Sequence, residues 1–414
     1  MNILFIAKNV TLCSRSGDAI HVRELAEQLA KLGHKIFLVG RDLEYATRYI
    51  YDDYRKSLDN LHSNKNIEII LMRSKAKLAF SINRDYQALK QSIRILRTNK
   101  IDLIYSRSFN AYLEGFLMNL FQVPLVLEIN GLELDEREAL LGKRNYYRKE
   151  ISKTSSIQFF QYPSKIITIT DKLKRSLIDD FDVNPKKLYI VPNGVNEMLF
   201  RPDPSQNEAL RQQLDIPKDS PVICFVGAFD PWHGLEGLVS SAKVVVEQEP
   251  TVKYLMVGDG YLKDEIERTV RNYGLETNFK FTGRVPYIEV PKLINISNIC
   301  VVPYPKKNAF LVDWAPLKLY EYMSCGKSVI ATDVGNVARV VRKSGSGVLV
   351  KPDDPEDLAR GTLELIKDVP RQKKLGARGR NYVISNCTWK QTAEKVSKLI
   401  ESVNESNQTR SGYL

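Results

Sequence analysis

Long apolar runs are missing from this chain of 414 residues. The nearest approach, Tyr112 to Ile129, is broken by Glu114, Asn119, Gln122 and Pro124, so no membrane-spanning helix is expected. No charged segment precedes the first apolar run at Asn2 and no small-residue cleavage site follows it, so no secretory leader is expected either. The five cysteines (Cys13, Cys224, Cys300, Cys325, Cys387) form no C-x-x-C pair, and the four histidines (His21, His34, His62, His233) show no metal-ligand spacing. That weighs against a disulfide framework or a zinc site and favours a reducing, cytoplasmic setting. Helix-turn-helix, zinc-finger and RNP-like patterns are absent, and so is any internal repeat of roughly 20–50 residues.

What is present is the composition of a globular protein: 43% hydrophobic, 27% charged, with a formal net charge of +12. The length suits two domains. The positive excess fits nucleic acid, an anionic membrane surface or an anionic small substrate. The missing nucleic-acid motifs set the first aside. A lysine-rich solvated surface accounts for the charge equally well.

Short apolar runs alternate with amphipathic stretches along the chain. NILFIA leads into HVRELAEQLAKLG, whose Val22, Leu25, Leu29 and Leu32 recur at helical spacing until Gly33, and KIFLVG follows. IEIILM, IDLIYS, PLVLEI and KIITIT continue the series, and VICFVGAF, YLMVGDG, FKFTG, ICVVPY, SVIATD and GVLV restart it. Continuous apolar strands between helices predict parallel sheets covered on both faces. The expected fold is α/β, with two Rossmann-like, doubly wound domains facing a cleft. The polar, Pro- and Gln-containing segment 201–221 marks the expected junction. We therefore expect domains at 1–203 and 204–387, a closing helix at 388–403 and a flexible tail at 404–414.

Ligands of such sheets bind outside the carboxyl ends of the strands, so the βα turns are the places to look. Gly17, in SRSGDAIHVREL, allows a close backbone approach at a helix start, or simply makes a loop flexible. Pro192-Asn193-Gly194-Val195 reads as an ordinary turn. VGAFDPWHG places Gly227, Trp232 and His233 before a second-domain helix. Gly258 and Gly260 of VGDGYLK begin a dinucleotide fingerprint that fails at Lys263, where a third glycine is needed. FTGRVP offers Gly283 and Val285 to a flat base, or merely ends a strand. The segment DWAPLKLYEYMSCGKSVIATDVG sets Asp313 in a loop and Glu321 on the first turns of a helix opened by Pro316, Leu317 and Lys318. A helix start carries positive partial charge and suits an anion.

In this order, from Gly17 to about Asp353, these motifs resemble the retaining family 4 glycosyltransferases of the GT-B type, and PLKLYEYMSCGKSVIAT is the most specific piece. The resemblance implies a UDP- or GDP-sugar held mainly by the second domain, an acceptor bound mainly by the first, and neither a cofactor nor an obligatory metal. It implies contact of Glu321 with the ribose hydroxyls and of Asp313 with the sugar ring. Leu317 and Lys318 would lie over the diphosphate and Val285 by the base. Three departures stand out. Asp313 replaces a glutamate, Ala228 and His233 replace an arginine and a lysine, and EINGLE lacks a histidine. Lys318 and His233 are accordingly expected to share the charge role, and Glu128, Asn130 and Glu133 are the candidates for acceptor contact.

Basic and aromatic residues interleave in GKRNYYRKE (142–150) and RYIYDDYRK (48–56), and RSKAKL (73–78) is a further basic segment. They fit docking on an anionic leaflet, or a plain charged surface. The sequence thus predicts a cytoplasmic enzyme, peripheral to the inner membrane face, acting on a lipid-linked sugar or growing glycan. A sugar-nucleotide epimerase of the same architecture and a non-catalytic sugar-nucleotide-binding subunit remain as alternatives.

Overall fold

The computed structural model describes residues 1–42, 58–72, 80–108, 111–131, 159–205, 207–306 and 315–411. They form two compact units, one holding the described residues from Met1 to Gly194 together with those from Trp389 onward, the other Val195 to Thr388.

The first unit runs β1 (Asn2–Thr11), α1 (Gly17–Lys31), β2 (Lys35–Arg41), α2 (Asp59–His62), β3 (Ile67–Met72), α3 (Phe80–Thr98), β4 (Leu103–Arg107), α4 (Tyr112–Phe121), β5 (Leu125–Ile129), β6 (Lys165–Thr168), α5 (Asp171–Phe181) and β7 (Leu188–Ile190). All seven strands are parallel, in the order β3-β2-β1-β4-β5-β6-β7. Strand periodicity sorts the core into two layers. Ile3, Phe5 and Ala7 meet α1 on one face. Leu4 and Ile6 point the other way, into a layer shared with Ala88 and Ile95 of α3 and Leu113 and Leu117 of α4. Helix α1 starts a turn earlier than its apolar pattern indicates: Ser16 precedes it in extended conformation, and Asp18 in its first turn complements the positive end of the helix.

The second unit contains α6 (Asn207–Gln213), β8 (Val222–Val226), α7 (Leu235–Gln248), β9 (Lys253–Val257), α8 (Lys263–Asn272), β10 (Phe279–Gly283), α9 (Val290–Asn295), β11 (Ile299–Val302), α10 (Leu317–Ser324), β12 (Ser328–Thr332), α11 (Gly335–Ser344), β13 (Gly347–Val350), α12 (Pro355–Lys367) and α13 (Val369–Asn386). Its six strands are parallel in the order β10-β9-β8-β11-β12-β13. Segment 201–221 lies inside this unit and does not link the two. Arg211 donates to the carbonyls of Pro217, Lys218, Ser220 and Ile296, and the Asn295 side chain bonds the backbone of Arg201 and Asp203.

The chain then returns to the first unit as α14 (Trp389–Ser411), where Ala393, Val396, Leu399, Ile400 and Val403 complete the layer over α1. This helix continues past Val403, because no glycine or proline interrupts it before Gly412. Among the described residues no helix is long and apolar enough to cross a membrane.

Candidate functional site

In the second unit the strand order reverses between β8 and β11, and the chemistry-bearing residues collect at the carboxyl ends of those strands. Beyond β8 the chain turns at Gly227 (φ 148°), passes a single 3-10 turn at Pro231–His233 and enters α7 after Gly234. A side chain at Gly227 would collide with the Nζ of Lys318. At Gly258 (φ 140°) it would collide with the Gly227 carbonyl, and at Gly260 with the backbone of Phe229. These glycines let three strand ends close on one another, held by Gly227 N–H to Val257 O (2.9 Å), Gly258 N–H to Gly283 O (3.0 Å) and Phe229 N–H to Asp259 O (3.1 Å).

Helix α10 enters this cluster by its first turn. Its positive φ-free start at Pro316 has no side-chain cap, so early backbone N–H groups remain for a ligand. Tyr322 anchors the helix by accepting the Val226 N–H at 2.7 Å. The Nζ of Lys318 is buried, although the residue as a whole is half-buried. Its Nζ lies 4.2 Å from the Phe225 ring centroid and 5.8 Å from that of Tyr304, with no hydrogen-bond acceptor in reach. Burial pushes its pKa down to about 7, against the opposing pull of Glu321 and Asp230. His233 is buried between Phe225 and Tyr304, with centroids 5.9 and 5.6 Å away. Burial first, and the Lys318 charge second, hold its pKa well below the ordinary histidine value. Burial raises the Asp230 pKa, with a backbone hydrogen bond from Tyr261 and the charges of Lys318 and Arg284 opposing it. Glu321 is buried, and its Oε1 accepts the Tyr287 hydroxyl at 3.0 Å. Val285 packs against the same core.

The structure therefore brings Gly227, His233, Gly258, Gly260, Lys318 and Glu321 together on neighbouring strand and helix ends, with Pro316, Leu317 and Val285 alongside. Asp313 lies outside the described residues. Sequence reasoning missed Asp230, Tyr287, Tyr304 and Tyr322. Tyr287 had a signal, since it stands two residues beyond Val285 and within reach of the same helix.

The first unit has its own polar cluster. Glu128, at the end of β5, is buried. Its Oε2 accepts the Tyr105 hydroxyl at 2.5 Å, and its Oε1 lies 2.6 Å from His21 Nε2, an ion-pair distance without hydrogen-bond alignment. Burial alone would raise its pKa, but His21, Arg107 and Tyr105 together lower it to about 2. His21, on α1 one turn beyond Gly17, also pairs through Nδ1 with Asn193 Oδ1 at 2.9 Å, and its ring meets Trp389 edge-on at 5.0 Å. The Pro-Asn-Gly-Val turn thus has a task that its sequence did not reveal. One Glu128 oxygen accepts from Tyr105 and the other faces His21, so the carboxylate is held inside this cluster. Asn130, by contrast, has a buried Oδ1 with no partner. Glu133 lies outside the described residues, as do segments 142–150, 48–56 and 73–78. Among the described residues no group of three His, Cys, Asp or Glu side chains is placed to hold a metal ion.

Two family models match the chain. Glycosyl transferases group 1 covers residues 206–382 and Glycosyltransferase Family 4 covers residues 15–198. The chain is 26% identical over 399 residues to an uncharacterized glycosyltransferase of Methanocaldococcus jannaschii, covering 94% of this chain and 95% of that protein. It is 26% identical over 214 residues to a GDP-mannose-dependent monoacylated alpha-(1-6)-phosphatidylinositol monomannoside mannosyltransferase of Corynebacterium glutamicum, covering 51% and 55% of the two chains. The crystal structure of Anabaena HepE in complex with UDP and glucose shares the fold, with a TM-score of 0.76 at 17% identity over 97% of this chain and all of that one. The paired sheets, the glycine-lined strand ends and these matches converge: the chain belongs to the family 4, group 1 glycosyltransferases of the GT-B fold.

Proposed function

We propose that this protein is a retaining glycosyltransferase that moves a sugar from a UDP- or GDP-sugar to an acceptor hydroxyl on a lipid-linked sugar or growing glycan. The observation that carries the reading is the buried, unpartnered ammonium of Lys318 beside Gly227 at the switch point of the second sheet. A buried cation without a hydrogen-bond acceptor is costly; Glu321 and Asp230 offset only part of that cost, and a diphosphate would supply both acceptors and further negative charge. Lys318 then does the work of the arginine and lysine that Ala228 and His233 replace, while His233 shapes the pocket wall.

In this mechanism Glu321, steadied by Tyr287, accepts from the ribose hydroxyls. Val285 lies against the base, and Asp313 addresses the sugar ring. The acceptor oxygen attacks the anomeric carbon on the face the diphosphate leaves. The C–O bond to phosphate breaks with its electron pair moving to the diphosphate, and the hydroxyl proton passes to a departing phosphate oxygen. Lys318 and the N–H groups of α10 stabilise the charge that develops there. The first-unit cluster of His21, Glu128 and Asn193 holds the acceptor-side loops in place, with Asn130 Oδ1 offered to the acceptor.

The GDP-mannose-dependent relative and the UDP-bound structural neighbour support a nucleotide-sugar donor. A thermal-shift screen of UDP- and GDP-sugars tests it, since a ligand that binds the native state raises the melting temperature. NMR of the product's anomeric proton then tests retention. A shift with no sugar nucleotide, or an inverted product, overturns the respective part.

A further inference from the structure

Helix α4 is unusual for a surface element. Its outward residues include Tyr112, Phe116 and Leu120, which are 46%, 53% and 54% exposed and spaced i, i+4, i+8 on one stripe. Tyr162, 42% exposed, lies against the helix at Gly115 and widens the stripe. The only charged residue of α4 is Glu114, which is turned inward onto Lys8 at 3.1 Å. The outer face therefore carries no charge, although single exposed apolar residues are common and a continuous row is not.

Helix α3 lies in contact with α4, and both cover the same sheet face, through Ala88 and Ile95 on one and Leu113 and Leu117 on the other. Their outer surfaces consequently face away from the sheet together. On α3 the exposed row is Lys90, Arg94 and Arg97, spaced i, i+4, i+7, and Lys100 extends it. No acidic residue occurs from Tyr86 to Lys100. An uncharged aromatic and aliphatic row thus runs beside a purely basic one.

We propose that this α3–α4 face docks the first unit on an anionic lipid surface. Tyr112, Phe116 and Leu120 enter the boundary between headgroups and acyl chains, and Lys90, Arg94 and Arg97 meet the anionic headgroups. The pairing of apolar anchors with basic residues is the one an anionic leaflet complements. A second copy of the chain docking through the same α3–α4 face would bring no acidic partner for its basic row. The inference extends the lipid-linked acceptor proposed above, but its test needs neither donor nor acceptor, so the two readings fail separately.

The test is flotation of the full chain with vesicles of phosphatidylcholine alone and of phosphatidylcholine mixed with phosphatidylglycerol. The wild type is expected to float only with the anionic vesicles, and less as salt rises. Combined Lys90→Gln, Arg94→Gln and Arg97→Gln is expected to weaken binding on the order of a hundredfold. Combined Phe116→Ser and Leu120→Ser is expected to weaken it about tenfold or more. Unchanged near-UV circular dichroism and melting temperature show that the variants remain folded, as exposed positions allow. The proposal is overturned if the wild type floats equally with both vesicles or with neither, or if folded variants bind like the wild type. It is also overturned if light scattering shows a lipid-free dimer that Phe116→Ser and Leu120→Ser dissociate.

Discussion

Two buried lysine ammonium groups, one in each unit, are treated in opposite ways. Lys8 lies within β1 with its Nζ 3.1 Å from Glu114 Oε2, and the other carboxylate oxygen accepts the Ser106 hydroxyl at 3.0 Å. All three groups are buried and mutually satisfied. Lys318 is half-buried as a residue, but its Nζ is inaccessible and rests on an aromatic ring with no acceptor at hand. A buried charge that is paired belongs to the fold, and one left unpaired awaits a partner from outside. The contrast separates architecture from function more sharply than either residue does alone.

The largest expected effect would come from breaking the paired side. Glu114→Ala leaves Lys8 buried without a counter-charge and should cost about 3–5 kcal/mol, read as a lower denaturation midpoint. Adding Lys8→Met should recover most of it. If Glu114→Ala is neutral, the pair is not structural and the comparison fails.

Lys318→Met should do the reverse. Donor affinity, measured by calorimetry, should fall on the order of a hundredfold or more, while the melting temperature holds or rises because a buried amine has been removed. A variant that destabilises and still binds donor would make Lys318 another Lys8.

The third expectation concerns pH. Unfolded, Lys318 titrates in the ordinary lysine range; folded and empty, it titrates at about 7. Between those values the unfolded chain binds more protons, so this residue makes stability rise with pH above 7, and its full cost is present below 7. Donor binding restores the proton. Affinity should therefore be level below pH 7 and fall toward about tenfold per pH unit above it. Calorimetry in buffers of different ionisation enthalpy should report proton uptake, and Lys318→Met should abolish it. Identical heats in all buffers would show that Lys318 is already charged in the empty site.

The smallest effect should come from Tyr287→Phe, which removes one hydrogen bond to Glu321. Loss of about 1 kcal/mol of orientation corresponds to a several-fold weaker donor affinity with an unchanged melting temperature. Glu321→Gln should cost more than this. If the two are equal, Tyr287 carries the contact now assigned to Glu321.

The sheets and most helices were legible because continuous apolar runs and 3.6-residue spacing report burial directly. Lys318 was legible because Pro316 opens a helix and the motif around it is long. What pattern cannot report is which buried group meets which. Lys8 and Glu114 stand 106 positions apart, and nothing local in β1 announces that its lysine is neutralised by α4. Asn193 reads as a turn residue because its partner, His21, lies 172 positions away. Glu128 looks available beside Asn130, yet Tyr105 and His21 reach it from β4 and α1. Segment 201–221 has the composition of a linker, but Arg211 and Asn295 bind it into the second unit through long-range backbone hydrogen bonds.

The return of α14 to the first unit fixes an order of events during synthesis. Ala393, Val396 and Ile400 cover α1 and β1, yet nearly two hundred residues of the second unit are made in between. At roughly 5–20 residues per second, the apolar face that awaits them stays open for roughly 10–40 s after Gly194 is made. The first unit thus begins as an unfinished surface on the ribosome, and a helix made only after the second unit closes it.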